Sequence, residues 1–139
     1  MPFYIAYRGD AGGASADYNE LRSQESMISI IVPCYNEQEA LPFFHEEVSR
    51  VLKEIGEDYE LLFVNDGSKD DTLKELKALS TKDPHVIYLS FSRNFGKEAA
   101  ILAGMKHAKG DLVTLIDADL QQRPEIVREM VQILDEHPE

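Results

Sequence analysis

From residue 28 onward the chain alternates short, β-branched apolar runs with amphipathic stretches, and no other feature of the sequence restricts its folding so strongly. Such alternation is the signature of repeated βα units around a mostly parallel sheet. Four units are countable. Residues 28–32 read as a first strand closed by Pro33, after which Phe44, Val48, Val51, Leu52 and Ile55 recur at helical spacing until Gly56. Residues 60–64 read as a second strand, and beyond the Asp66-Gly67-Ser68 turn Leu73, Leu76 and Leu79 mark a second helix followed by Pro84. Residues 86–91 give a third strand, 98–108 a third helix ended by Gly110, and 112–116 a fourth strand. Pro124 suits the first turn of a last helix whose apolar face is Ile126, Val127, Met130, Val131 and Leu134. The expected fold class is α/β, a Rossmann-like, mostly parallel sheet with flanking helices.

Residues 1–26 differ in character, with a Gly/Ala/Ser-rich run over 9–16 and a polar stretch over 18–26. They read as a flexible leader or non-native extension, Met27 being placed as an original start; a peripheral strand over 3–7 is the alternative. Residues 27–139 then form one domain, a size able to bury a modest core. With 26 acidic against 14 basic residues the formal charge is −12, which opposes binding to nucleic acid and to anionic membrane surfaces. One cysteine excludes an internal disulfide, and the sequence holds neither a secretory signal nor an apolar run of bilayer-spanning length. The expected location is cytoplasmic.

The polar residues that interrupt the apolar pattern collect at strand carboxyl ends: Tyr35-Asn36-Glu37, Asn65-Asp66-Gly67-Ser68 and Asp117-Ala118-Asp119. Open parallel sheets bind ligands there, and in a strand order 3-2-1-4 the first and fourth strands flank the switch point. Asp117 and Asp119, one residue apart, suit a single hard cation such as Mg²⁺ or Mn²⁺, with Gln121 offering an amide oxygen. The competing reading is a pair of solvated turn carboxylates. Asp66 suits a hydrogen bond to a base or ribose, with Gly67 permitting close backbone approach, against a plain Asx-turn. Glu37 and Tyr35 suit a base by hydrogen bonding and stacking, against a tyrosine that only rims the core.

Arg93-Asn94-Phe95-Gly96-Lys97 sets two cations about a glycine before a helix, where either a diphosphate or neighbouring acids would take them up. Cys34 has no base beside it and reads as a buried small residue. His45, His85, His107 and His137 show no metal-ligand spacing. The dinucleotide fingerprint Gly-x-Gly-x-x-Gly is missing from the first βα turn, and Gly96-Lys97 lacks the other elements of a phosphate-binding P-loop.

Four stretches in this order, Ile31-Val32-Pro33-Cys34-Tyr35-Asn36-Glu37, Val64-Asn65-Asp66-Gly67-Ser68, residues 93–97 and Asp117-Ala118-Asp119-Leu120-Gln121, resemble family 2 glycosyltransferases. The subgroup most similar is that of dolichol-phosphate mannose synthases and bacterial polyprenyl-phosphate glucosyltransferases. The resemblance implies the nucleotide-binding half of a GT-A fold and inverting transfer of a hexose from a UDP- or GDP-sugar to a polyprenyl phosphate at the cytoplasmic face of a membrane. It further implies that Pro33, Tyr35, Glu37, Val64 and Asp66 contact the nucleotide, while Asp117, Ala118, Asp119 and Gln121 form the metal and diphosphate site, Asp117 and Asp119 being the catalytic pair.

Two departures stand out: Gln122-Arg123-Pro124 replaces the Asp-Pro-Pro of many relatives, and the family's catalytic domain continues well past residue 139. The expectation is a truncated chain that binds nucleotide weakly and transfers little sugar alone. An exposed sheet edge would favour homo-oligomers. A nucleotide-binding pseudoenzyme or regulatory module is the second reading.

Overall fold

The computed structural model describes residues 6–8, 27–119 and 125–136. Its elements are β1 (Ala6–Arg8), β2 (Met27–Cys34), α1 (Leu41–Ile55), β3 (Asp58–Asn65), α2 (Thr72–Lys82), β4 (Val86–Ser90), α3 (Lys97–His107), β5 (Leu112–Leu115) and α4 (Ile126–Glu136). The sheet order is β4-β3-β2-β5-β1. Strands β2 to β5 are mutually parallel and follow the anticipated order, so the direction of winding reverses between β2 and β5. Of the segment read as a leader, Ala6–Arg8 pair antiparallel with β5, Ala6 opposite Thr114 and Arg8 opposite Leu112. Gln121, Pro124, His137 and the side chain of Leu134 lie outside the described residues.

Strand β2 runs through Pro33 instead of stopping before it. The ladder explains why. Met27 and Ile31 offer their carbonyls to the N–H groups of Asp111 and Ile116, so odd-numbered residues of β2 turn their backbone toward β5. Pro33 faces that same side, but the β2–β5 register ends at Ile31 opposite Leu115, and no ladder bond is lost for want of its N–H.

One face of the sheet carries the main core. Ile28, Ile30, Val32, Leu61 and Phe63 meet Phe44, Val48 and Leu52 of α1, Leu76 of α2 and Val127 and Val131 of α4. Phe44 and Phe63 touch edge to face with ring centres 6.0 Å apart. Among the described residues, α3 covers Ile31, Val113 and Leu115 on the opposite face, with Ile101, Met105 and Ala108 against them. Ala100 and Gly104, four residues apart, are its buried positions. Small residues there let the helix lie close: a Cβ on Gly104 would stand 2.5 Å from Ile31 Cγ2. This seat fixes where α3 begins, and Lys97 is its first residue.

Replacing Gly104 with leucine should lift α3 off the sheet and cost about 1–3 kcal/mol, as overpacking in tight cores does. Urea denaturation checks this through a lower midpoint at unchanged slope.

Candidate active site

Four loops meet above the carboxyl ends of β2, β3, β4 and β5. The first two are stitched together by side chains that accept backbone N–H bonds. Ser68 Oγ accepts from the N–H of Asn36 at 2.9 Å, Asn36 Oδ1 from that of Lys69 at 2.8 Å, and Thr72 Oγ1 from that of Glu37 at 2.9 Å. Asp70 Oδ1 in turn accepts from the Thr72 hydroxyl at 2.5 Å and from its N–H at 3.0 Å. Asn36 holds the reversal at a positive φ of 53°, a region asparagine tolerates better than most residues.

The third loop, residues 93–96, is held by Asp66. This carboxylate is 4% exposed, yet it is well supplied with donors: the N–H of Phe95 at 2.7 Å, that of Gly96 at 3.0 Å and the Asn94 side-chain amide at 3.2 Å. The Asn94 amide also reaches the Asp66 carbonyl at 3.1 Å. The backbone that closes on Gly67 is likewise that of Arg93 and Asn94, since a Cβ on Gly67 would fall 2.1 Å from the Arg93 carbonyl carbon. The Asx interaction weighed as the plain alternative for Asp66 is made by its neighbour Asn65, whose Oδ1 accepts from the Ser68 N–H at 3.2 Å.

These loops enclose a crevice of about 280 Å³ lined by Pro33, Cys34, Tyr35, Glu37, Asp66, Lys97, Asp117, Ala118 and Asp119. Eight of the anticipated site residues therefore come together at the switch point. Two do not. Val64 is fully buried within β3, and Arg93 lies over the Phe95 ring, 4.5 Å from its centre, instead of lining the crevice. Lys97 Nζ pairs with Asp117 Oδ1 at 2.7 Å. Tyr35 leaves 42% of its surface exposed at the mouth.

Acid crowding shows in Glu37. Burial, then the charges of Asp119, Asp117 and Asp70, hold its carboxyl above the usual range. Burial and the nearby Glu37 also push the Cys34 thiol far up, so Cys34 is a protonated core residue donating to the Val32 carbonyl and not a nucleophile. Among the described residues no three acid, imidazole or thiol groups form a finished metal cage. Two carboxylates that leave room for substrate phosphate are nevertheless the usual protein share of a Mg²⁺ site.

The sequence profile of Glycosyl transferase family 2 matches residues 29–139. The chain belongs to this family. It is 47% identical to the "Putative glycosyltransferase CsbB" of Bacillus subtilis over 113 residues, covering 81% of this chain and 34% of that protein. It is 45% identical to the "Prophage bactoprenol glucosyl transferase homolog" of Escherichia coli over 105 residues, 76% of this chain and 34% of that protein. The chain thus spans about a third of the length of the curated relatives it matches. Among solved structures, the mannosyltransferase PcManGT from Pyrobaculum calidifontis, in complex with GDP-Man and Mn²⁺, shares the fold at a TM-score of 0.63 and 24% identity. That match covers 81% of this chain and 33% of that one. This member of family 2 has a GT-A-like sheet, and among its described residues no helix is long and apolar enough to cross a membrane.

Sequence reasoning named Asn36 and Ser68 among the strand-end motifs but missed their stitching role, and missed Asp70 and Thr72 altogether, since the partners of all four lie over 30 positions away. It also missed a cluster before β4, where Asp83 takes His45 Nε2 and His85 Nδ1, each at 2.8 Å, and Tyr59 stacks on His85. Burial works against the charge of Asp83, but the bonds from His85 and His45 outweigh it and hold the carboxyl below the usual range. This cluster is at the amino end of β4, away from the crevice.

Two outcomes are expected. In Asp66→Asn an amide N–H₂ would face a backbone donor, and the lost charge-assisted bonds should cost about 1.5–3 kcal/mol. Hydrogen exchange should show residues 93–97 opening faster than α1. Glu37 behaves in the opposite sense: because the folded state keeps its proton at a pH where the unfolded chain has released it, stability falls as pH rises through that window and the cost persists at neutrality. Glu37→Gln should therefore be more stable than the parent at pH 7 in metal-free buffer and show a flatter stability profile from about pH 4.5 upward, as followed by denaturant melts.

Proposed function

We propose that this chain forms the donor side of an inverting glycosyl transfer, in which a hexose passes from a UDP- or GDP-sugar to the phosphate of a polyprenyl lipid. The observation that carries the reading is the convergence of Asp117, Asp119, Glu37, Asp66 and Lys97 on one crevice at the switch point of a family 2 sheet. The similarity to a bactoprenol glucosyl transferase homolog supports the lipid phosphate as acceptor, and the GDP-Man and Mn²⁺ of the Pyrobaculum calidifontis mannosyltransferase support the donor class and the ion.

In this reading Asp117 and Asp119 hold Mg²⁺ or Mn²⁺, with Gln121 adding an amide oxygen. Their hard oxygens suit either ion, and the crowding felt by Glu37 marks a place where added positive charge is favourable. When bound, the metal neutralises charge developing on the departing nucleoside diphosphate. Tyr35 offers an exposed ring for a base to stack on, Glu37 a hydrogen-bond acceptor, and Pro33 and Ala118 the close walls. Asp66 gives the nucleoside whatever acceptor capacity its three donors leave, and its main task is to fix the loop that carries Lys97. The acceptor phosphate is already anionic, so its oxygen attacks the anomeric carbon as the diphosphate oxygen leaves, without needing a strong base. Alignment and charge balance are the protein's contribution. At the membrane face the lipid phosphate would approach from outside this sheet.

Calorimetric titration of UDP and GDP, with and without Mn²⁺, tests this. One nucleotide should bind in a metal-dependent manner, and Asp119→Ala should weaken it roughly tenfold or more. Equal, metal-independent binding by both proteins would contradict the assignment.

A further inference from the structure

Among the described residues the crevice lining contains four carboxyl side chains, Glu37, Asp66, Asp117 and Asp119, against one ammonium, Lys97. A nucleoside diphosphate is itself an anion and would enter this field against repulsion. Lys97 has a fixed root and a loose head. Its backbone opens α3, seated by Gly104 on Ile31 and tied through Gly96 to the Asp66 carboxylate, whereas its side chain is 57% exposed. The head nonetheless sits 2.7 Å from Asp117 Oδ1.

We propose that Lys97 is a resident counter-ion for Asp117, displaced when a divalent cation binds and then free to contact the donor's diphosphate. The inference rests on the reading of Asp117 and Asp119 as cation ligands. An ammonium and a dication cannot share one carboxylate oxygen at contact distance, because their repulsion would cancel what each gains. An exposed ion pair is weak enough to be exchanged, and a flexible four-carbon stem lets the ammonium move to a neighbouring phosphate while its root stays in place. Lys97 therefore opposes the metal alone and favours the metal with diphosphate. By linkage, the diphosphate must then raise metal affinity as much as metal raises that of the diphosphate. Arg93 does not compete for this role, since its guanidinium lies on the Phe95 ring.

The test compares the full chain with Lys97→Met and Lys97→Arg, after checking that all three unfold at similar denaturant midpoints. Free Mn²⁺ is followed by electron paramagnetic resonance, first with Mn²⁺ alone and then with UDP or GDP at saturating Mn²⁺. Lys97→Met should bind Mn²⁺ alone roughly two- to fivefold more tightly, the range an exposed ion pair commands, while Lys97→Arg stays near the parent. At saturating Mn²⁺ the same Lys97→Met chain should bind nucleoside diphosphate about tenfold more weakly, the loss of one charged phosphate contact. Equal or weaker Mn²⁺ binding by Lys97→Met overturns the role of Lys97 and leaves the cation site standing. No Mn²⁺ uptake by any of the three overturns the cation site and this inference together.

Discussion

Asp66 gathers the N–H groups of Phe95 and Gly96 and the amide of Asn94 onto one buried carboxylate, and the shape of the crevice depends on that gathering. A carboxylate removed from water is costly unless donors replace the water, and backbone N–H groups do so at fixed positions. The loop between β4 and α3 is therefore not free to choose its course. It must bring those N–H groups to Asp66 and pass within contact of Gly67, whose positive φ of 66° and missing Cβ make the approach feasible. Lys97 then follows at a set place beside Asp117.

The same logic of donors meeting fixed acceptors joins the loop after β2 to the loop after β3. Asn36, Ser68, Thr72 and Asp70 form a short polar lattice that fixes Glu37 beside the strand ends. Opposing these bonds are the burial of Glu37 and, after it, the repulsion of the acids brought around it, both of which raise its carboxyl above the usual range. The fold thus holds together a charge arrangement that is unfavourable by itself, a common condition of sites built to receive a cation and a phosphate.

Much of this was legible in the sequence because strand ends and apolar periodicity are local signals. The four parallel strands, their order and the convergence of Asp117 and Asp119 with Glu37, Tyr35 and Asp66 all followed from where polar residues interrupt apolar runs. What was not legible depends on distant partners. Nothing near Asp66 indicates that its donors lie 28 to 30 residues away, and nothing near Gly67 indicates that the close neighbour is backbone of residues 93 and 94. Pro33 reads as a strand stop unless it is known that the neighbouring ladder has already ended. Helix α3 lacks a clear apolar stripe because it seats through Ala100 and Gly104, whose small side chains carry little hydrophobic signal.

The donor should bind where the four loops at the strand carboxyl ends meet. Amide chemical-shift mapping of the isotope-labelled chain with Mg²⁺ and UDP or GDP tests it residue by residue. The largest shifts are expected at residues 35–37, 66–68, 94–97 and 117–119, with little change near Asp58, Asp83 and Leu112 at the opposite strand ends. Shifts concentrated at those amino ends, or no shifts in a folded chain at millimolar nucleotide, would contradict it.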